Sequence, residues 1–381
     1  MANTAPRVPA EERREDIDAV DRKAAALAAL IKNSKHFIVF TGAGVSTSAG
    51  IPDFRGPEGV WTLMAQGKER TSGVNTLQAI PTATHMALVE LQDRGILKYL
   101  VSQNCDALHR KSGILPDKIS ELHGNNNREY CKDCGKEYIR DFRAVAPYKK
   151  TVFDHRTGRK CASCGGALHD SIINFGEALS EQPLELARGH AKKADLCLVL
   201  GSSLTVSPAN EIPEKVGRRG RAAKLVICNL QDTPVDELAD QRVYTKADDL
   251  MTRVMACLDI PIPPFILRRR LVVQMETTGG NRHRVKICGV DVDGTPATFL
   301  RSVKSEQYSR RGARAEPFLI SFRSDLDLGA EIKLELEFMG NYGEPNLEIV
   351  YEYTGKAATE VLYLLEYDPK TGEWKTIKQT S

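Results

Sequence analysis

No run of apolar residues in this 381-residue chain approaches the roughly 18 to 20 that a bilayer-crossing helix needs. The opening residues, MANTAPRVPAEERREDIDAVDRK, hold no apolar signal core. The sequence therefore reads as that of an intracellular protein with no membrane contact. A surplus of one charge is also missing. Against 53 Lys and Arg stand 50 Asp and Glu, a net charge of +3, so composition gives no warrant for a nucleic-acid binder and any basic surface must be local. Nor is there an even cysteine framework. Nine cysteines are present, and most sit in apolar strand-like contexts, as Cys197 does in DLCLVLG and Cys228 in KLVICNL, where reduced core cysteines are found.

What is present is an alternation. Glu15 to Asn33 reads as a helix, and from HFIVF at 36–40 to about residue 262 short apolar runs (LKYLVSQNCD, KISELHG, ADLCLVLGSSL, AKLVICNL) end in Gly, Asn or Ser and alternate with helical stretches. Continuous apolar strands of that kind belong to a parallel sheet covered on both faces, which predicts a doubly wound α/β core. Residues 1 to about 14 read as disordered. Residues 129–168 interrupt the rhythm and read as an inserted module. After the proline-rich boundary DIPIPPFILRRR, residues 265–381 consist of short β-type runs separated by turn residues, read as a separate all-β domain of sandwich type. Its charge is polarised in sequence: residues 265–323 carry 12 basic and 5 acidic residues, 324–381 carry 5 and 12. Interleaved strands could cancel that in space.

The stretch TGAGVSTSAGIPDFRG at 41–56 follows a buried-strand pattern directly. A strand running into GAG and then a helix sets backbone N–H groups against an anion, and glycine lets a pyrophosphate approach. Gly42 and Gly44 fit the dinucleotide fingerprint, but Thr47 stands at the third glycine position and no acidic residue closes the next strand to take a ribose hydroxyl. Instead the loop continues into Asp53, Phe54 and Arg55, which a hydride-transfer enzyme does not need. A ligand-free turn fits this loop alone equally well.

Four cysteines are spaced for chemistry. Cys131 and Cys134 in CKDC, and Cys161 and Cys164 in CASC, form two CxxC knuckles that close a tetrahedral thiolate site, a structural and not a catalytic zinc site, since no position is left for water. His123, in ELHGN, has the ordinary pKa of a base at neutral pH, although a lone histidine is more often a surface or core residue than a catalyst. Gln103, Asn104 and Asp106 in QNCD offer amides and a carboxylate at a strand end. GSSL at 201–204 and NLQ at 229–231 each follow a buried strand, at the carboxyl edge where α/β ligands bind.

Three motifs in order, TGAGVSTSAGIPDFRG, SQNCDALH and ELHGN, followed by the four cysteines, resemble the sirtuin family of NAD-dependent protein deacylases over roughly residues 36–262. GPEGVWT and NLQ are similar to the nuclear class IV branch, and CDALH with FGE to its sirtuin-7-like members. The resemblance implies a Rossmann-like catalytic domain at 36–264 with an inserted zinc ribbon, after an N-terminal extension at 1–35. It implies that NAD is held by Gly42, Ala43, Gly44, Ser46, Thr47, Ile51, Asp53, Phe54, Arg55, Trp61, Gln103, Asn104, Asp106, His123, Gly201, Ser202, Ser203, Asn229, Leu230, Gln231 and Ala247. Asn104 and Asp106 would hold the leaving nicotinamide. His123 would deprotonate a ribose hydroxyl that attacks an alkylimidate, yielding O-acyl-ADP-ribose, and Phe175, Gly176 and Glu177 would pair with an acyl-lysine peptide such as a histone tail. Ala107 departs from the usual glycine and would be strained if its φ is positive. The absence of a tyrosine and arginine pair after Arg55, with Val60, Trp61 and Leu63 in its place, favours a neutral acyl group. The rival readings are ADP-ribosyl transfer on the same fold, or a chromatin scaffold using the basic segments EKVGRRGRAAK and FILRRR for chromatin or nucleic-acid contacts. A dehydrogenase is a distant third. Nuclear residence is expected from the branch alone.

Overall fold

The computed structural model describes residues 11–68, 75–147, 151–279 and 281–379. Strands run in chain order as β1 (Phe37–Thr41), β2 (Leu97–Ser102), β3 (Ile119–Glu121), β4 (Arg128–Cys131), β5 (Glu137–Arg140), β6 (Arg156–Lys160), β7 (Ala167–Asp170), β8 (Leu196–Leu200), β9 (Lys224–Cys228) and β10 (Gln241–Val243). The helices are α1 (Ile17–Asn33), α2 (Val60–Ala65), α3 (Ala83–Asp93), α4 (Leu108–Ser112), α5 (Glu181–Lys193), α6 (Glu211–Gly217) and α7 (Ala247–Leu258).

Six of these strands form one parallel sheet in the order β10-β9-β8-β1-β2-β3. The order reverses at β1, so the sheet is wound in both directions. Alternate residues of each strand feed two cores, as the period of two requires. Phe37 and Val39 of β1 and Leu196, Leu198 and Leu200 of β8 pack with α1, α3 and α7 through Leu27, Leu88 and Met251. Ile38, Phe40, Cys197 and Val199 pack on the other face with α5 and α6 through Ala187, Ile212 and Val216. Asp16 caps α1, accepting from the Ala19 N–H at 2.8 Å.

Two details differ from the expected pattern. Residues 11–14 are ordered: Arg13 N–H donates to the Leu230 carbonyl at 2.7 Å, and its guanidinium pairs with Asp232 at 2.8 Å. The low hydrophobicity of this segment hid its backbone pairing. And the glycine loop after β1 does not open into an α-helix. It makes two 3₁₀ turns, Ala43–Val45 and Thr47–Ala49, ended by Gly50 in the left-handed region at φ 79°, so its N–H groups are offered by turns and not by a helix terminus.

The remaining strands are β11 (Leu267–Thr278), β12 (Arg282–Val290), β13 (Ala297–Thr298), β14 (Leu300–Ser305), β15 (Ser309–Ala313), β16 (Phe318–Arg323), β17 (Glu331–Phe338), β18 (Leu347–Glu352), β19 (Ala358–Asp368) and β20 (Glu373–Gln379). They form the expected sandwich: a sheet β16-β12-β11-β19-β20 packs against a sheet β15-β14-β17-β18 over a core that includes Leu271, Ile287, Phe318, Leu334 and Tyr363.

One compact unit holds the described residues of 1–126, 147–155 and 171–265, and the other holds 127–146, 156–170 and 266–381. The cysteine module groups with the C-terminal sandwich because β13 leaves the sandwich and pairs in parallel with β5, giving one sheet β13-β5-β4-β7-β6. Ile139 N–H donates to the Pro296 carbonyl at 2.9 Å and Asp141 N–H to that of Thr298 at 2.8 Å. Arg269 of β11 meets Asp141 at 2.5 Å, both nearly buried. Inside the module Glu129, fully buried, is flanked by Arg140 at 2.7 Å and Arg159 at 2.8 Å and accepts from Thr157 at 2.9 Å.

Candidate active site

The first and fourth core strands, β1 and β8, end side by side, and the loops that leave them touch backbone to backbone. Gly42 N–H donates to Leu200 O at 3.0 Å and Gly44 N–H to Gly201 O at 2.9 Å. A Cβ on Gly42 would lie 2.6 Å from Gly201 O, and one on Gly44 2.7 Å from Gly201 Cα. These glycines are required by the close approach of the two loops, which itself brings their turns to the carboxyl edge of the sheet.

Two contiguous cavities open along this edge, sharing Gly44, Asp53, Gly56, Gly201, Asn229 and Gln231 as walls. The first, about 820 Å³, takes in Thr47, Ile51, Leu230 and Ala247 among the expected residues. It also takes in Glu12 and Arg14, which carry no motif and are found only by the pairing of the N-terminal segment with the NLQ loop. The second, about 720 Å³, is lined by Gly42, Ala43, Phe54, Arg55, Trp61, Gln103, Asn104, His123, Ser202, Ser203 and the segment Phe175, Gly176 and Glu177. Ile173, Leu179 and Val206 add apolar wall that the motifs did not announce.

Side chains around the second cavity are held by each other. The Arg55 guanidinium lies 4.4 Å from the centre of the Trp61 ring, which packs on Phe54 at 4.8 Å and Phe175 at 5.3 Å. Asp53 accepts from Gly56 N–H at 3.0 Å; burial pushes its carboxyl pKa up and that of Arg55 down. The turn from Asp53 to Gly56 is narrow, since a Cβ on Gly56 would fall 2.4 Å from an Asp53 oxygen. Asn104 donates to Gly42 O at 3.0 Å, and Gln103 accepts from Ser202 at 2.7 Å.

His123 Nδ1 lies 3.0 Å from the Gln103 carbonyl, which can only accept, so that nitrogen carries the proton and Nε2 is left with a free lone pair. Burial lowers the His123 pKa, with the Gln103 bond acting in the opposite sense. The ring is therefore neutral and basic at pH 7.

Three expected residues are engaged in hydrogen bonds within the protein. Asp106 is buried and outside both cavities: its carboxylate accepts from Ser46 at 2.6 Å and from Leu108 N–H at 2.9 Å. Ser46 is likewise fully buried behind the loop. Both act on the site by fixing the backbone that Asn104 and Gly42 present. Glu177 lines the cavity, but its two oxygens are taken by His155 at 2.8 Å and by Asn174 N–H at 2.6 Å, so it shapes its own loop. Of the apolar residues after Arg55, Trp61 faces the second cavity, Leu63 the first, and Val60 neither. Ala107 does have a positive φ, 67°, the strained conformation foreseen for a non-glycine residue.

The four cysteine sulfurs lie within 4.8 Å of one another, with 3.5 Å between Cys131 and Cys164 and 3.6 Å between Cys134 and Cys161. A tetrahedron with Zn–S near ~2.3 Å has edges of roughly 3.8 Å, so the set fits a zinc ion closed on all sides. Tyr138 and the Ser163 N–H lie within hydrogen-bond reach of Cys161 sulfur, at 3.2 and 3.4 Å, as support for a thiolate.

A model of the Sir2 family matches residues 67–208. The chain is 37% identical over 347 residues to the NAD-dependent protein deacetylase SRT1 of Arabidopsis thaliana, covering 88% of this chain and 72% of that one. The chain belongs to the Sir2 family. It is also 42% identical over 263 residues to the NAD-dependent protein deacetylase sirtuin-7 of Bos taurus, covering 67% of this chain and 64% of the other. Among solved structures, a Sir2 protein determined with a deacetylated p53 peptide and 3'-O-acetyl-ADP-ribose is similar at 32% identity with a TM-score of 0.50, covering 62% of this chain and 98% of that one. This sirtuin is thus a member of a family of NAD-dependent protein deacetylases, with an NAD-dependent core and a four-cysteine structural zinc site.

Proposed function

We propose that this sirtuin removes neutral acyl groups, acetyl or longer, from protein lysines, forming nicotinamide and O-acyl-ADP-ribose, and that it acts on histones or other nuclear proteins. The observation that carries the reading is His123. It is a neutral imidazole with a free Nε2 on the wall of a cavity that also receives Gln103, Asn104 and the Phe175 loop.

NAD supplies an electrophilic ribose carbon with nicotinamide as the leaving group. The chain's own residues divide the remaining work. The Gly42–Gly44 turns, Ser202, Ser203 and the NLQ loop offer N–H, hydroxyl and amide groups for phosphates and ribose. Asn104 stands at the inner end, with Asp106 and Ser46 behind it to fix its loop. His123 accepts a proton from a ribose hydroxyl at Nε2, while Gln103 O holds Nδ1–H and so the tautomer. Phe54, Trp61, Phe175 and Val206 make an apolar wall that suits an uncharged acyl chain. The Ile173–Phe175 segment has backbone to offer an extended peptide, as in strand addition.

Mass spectrometry of acetyl-lysine and myristoyl-lysine histone peptides, incubated with NAD and the protein or its His123→Ala variant, tests this. The expected result is loss of the acyl group with O-acyl-ADP-ribose formed, abolished in the variant. The acid limb of kcat/KM should fall below pH 6.5, because burial lowers the pKa of the base. Nicotinamide release without deacylation would transfer the reading to ADP-ribosyl transfer.

A further inference from the structure

The polarity of charge along the C-terminal sequence is largely erased by the interleaving of its strands. Acidic residues of the last strands come to lie beside basic ones of the first: Arg268 with Glu366 at 3.0 Å, Arg301 with Glu337 at 3.5 Å, Lys304 with Glu335 at 3.7 Å. The basic clusters conspicuous in the sequence are partly neutralised as well, although Arg221 and Arg270 have no ion pair among the described residues. In EKVGRRGRAAK, Lys215 pairs with Glu211, Arg218 pairs with Glu214, and Arg219 caps the carbonyls of Ala191, Lys192 and Ala194. In FILRRR, Arg268 and Arg269 are paired with Glu366 and Asp141.

A row of cations on the sandwich is left without ion pairs among the described residues. On the outer face of the ladder between β12 and the edge strand β16, Arg282, Arg284 and Arg323 are exposed and Lys286 is half-exposed. Arg282 stands directly opposite Arg323 in the register. Like charges facing each other across strands destabilise a sheet. Among the described residues none of the four cations has an ion pair. Glu276, opposite Arg284 on β11, is the acidic neighbour in this ladder, and Asp325 beyond the strand end is bonded to Asn281. Alternate residues on a strand are about 6.8 Å apart, so Arg282, Arg284 and Lys286 span ~14 Å, the rise of about four phosphates along one strand of a duplex. The other outward residues, Ser321 and Leu319, provide no aromatic ring for stacking a base.

We propose that this face binds the phosphate backbone of double-stranded nucleic acid without reading its sequence. Four cations on a ring-free strand pair offer a row of partners for phosphates, and the lack of stacking side chains sets single strands aside. The surface lies outside the deacylation site and would hold the enzyme near its substrate.

Fluorescence anisotropy of the full chain with a fluorescein-labelled 24-base-pair duplex of mixed sequence, at several salt concentrations, tests the proposal. Four phosphate contacts give a slope of log K against log salt of about −3.6, or ~150-fold weaker binding at 200 mM than at 50 mM. In R282A/R284A/R323A the slope should shrink to about −0.9, while the melting temperature does not fall and deacetylation of a free acetyl-lysine peptide stays unchanged. R282K/R284K/R323K should retain the slope. Unaltered duplex binding by the alanine variant overturns the proposal, as does loss of binding in R218A/R221A instead. Binding of polyglutamate or of phosphatidylserine vesicles but not of the duplex would overturn it in favour of an acidic protein or a lipid surface.

Discussion

Substitution of Gly201 by Ala isolates the contact on which both cavities depend. Gly201 follows β8 in the left-handed region, at φ 61°, and a Cβ there would lie 2.6 Å from Gly44 Cα, 2.7 Å from its carbonyl carbon and 2.8 Å from Val45 N. All three are backbone atoms of a loop tied down by hydrogen bonds, so no flexible side chain can move aside. A left-handed residue with a Cβ costs roughly 1–2 kcal/mol, and an overpacked site about 1–3 kcal/mol more. Lower entropy of the unfolded chain returns about 0.4–1 kcal/mol. The net loss centres on ~3 kcal/mol, or a melting temperature lower by roughly 6–12 °C for a unit of this size. Since the strain is relieved by pushing Gly44 outward, the KM for NAD should rise at least tenfold with the peptide KM little changed. Gly189→Ala is the control: it lies inside α5 with nothing within 4 Å of the added methyl, and should stabilise by about 0.5–1 kcal/mol. Differential scanning calorimetry and NAD titrations read both. A Gly201→Ala protein that melts within a degree of the parent and keeps its KM for NAD would refute the reasoning.

His85 and His109 pack ring to ring at 4.6 Å, both buried, and burial lowers the His85 pKa to about 3. The native state therefore stays neutral where the unfolded chain binds protons, and stability present above pH 6.5 is lost as pH falls towards 3; His85 alone contributes a loss of about 2 kcal/mol between pH 7 and 5. Urea titrations at the two pH values measure it, and equal stability at both contradicts the burial. Glu129→Gln leaves Arg140 and Arg159 facing each other across a neutral amide, with an expected loss of about 3–5 kcal/mol, read as a lower thermal midpoint; an unchanged midpoint would show the network to be dispensable. The protein should hold one zinc ion per chain, released on denaturation and detected with pyridylazoresorcinol. Cys131→Ser should lose the metal and lower the melting temperature, whereas full metal content in that variant would place the ion elsewhere.

The sequence by itself determined the elements whose signal is local. Five-residue apolar strands such as FIVFT and LCLVL can only be buried on both faces, which made the parallel core legible. Two CxxC knuckles specify a thiolate site wherever the chain brings them together, and turn-bounded β runs after Pro264 announced a sandwich. The motifs likewise marked Gly42, Gly44, Asn104, His123 and Gly201. Only the tertiary structure decided what those residues touch. Asp106 reads as a ligand-binding carboxylate in QNCD, and its oxygens accept from Ser46 and the Leu108 N–H, because a buried carboxylate is satisfied by whatever donors the neighbouring loop supplies. Glu12 and Arg14 reach the first cavity through backbone pairing that no side-chain pattern encodes. The cysteine module joins the sandwich through a two-residue strand, too short to leave a periodic trace. Charge is the clearest case. The clusters prominent in sequence are largely paired in space, and the unpaired row on β12 and β16 is assembled from segments some forty residues apart, since register, which is non-local, sets which charges meet.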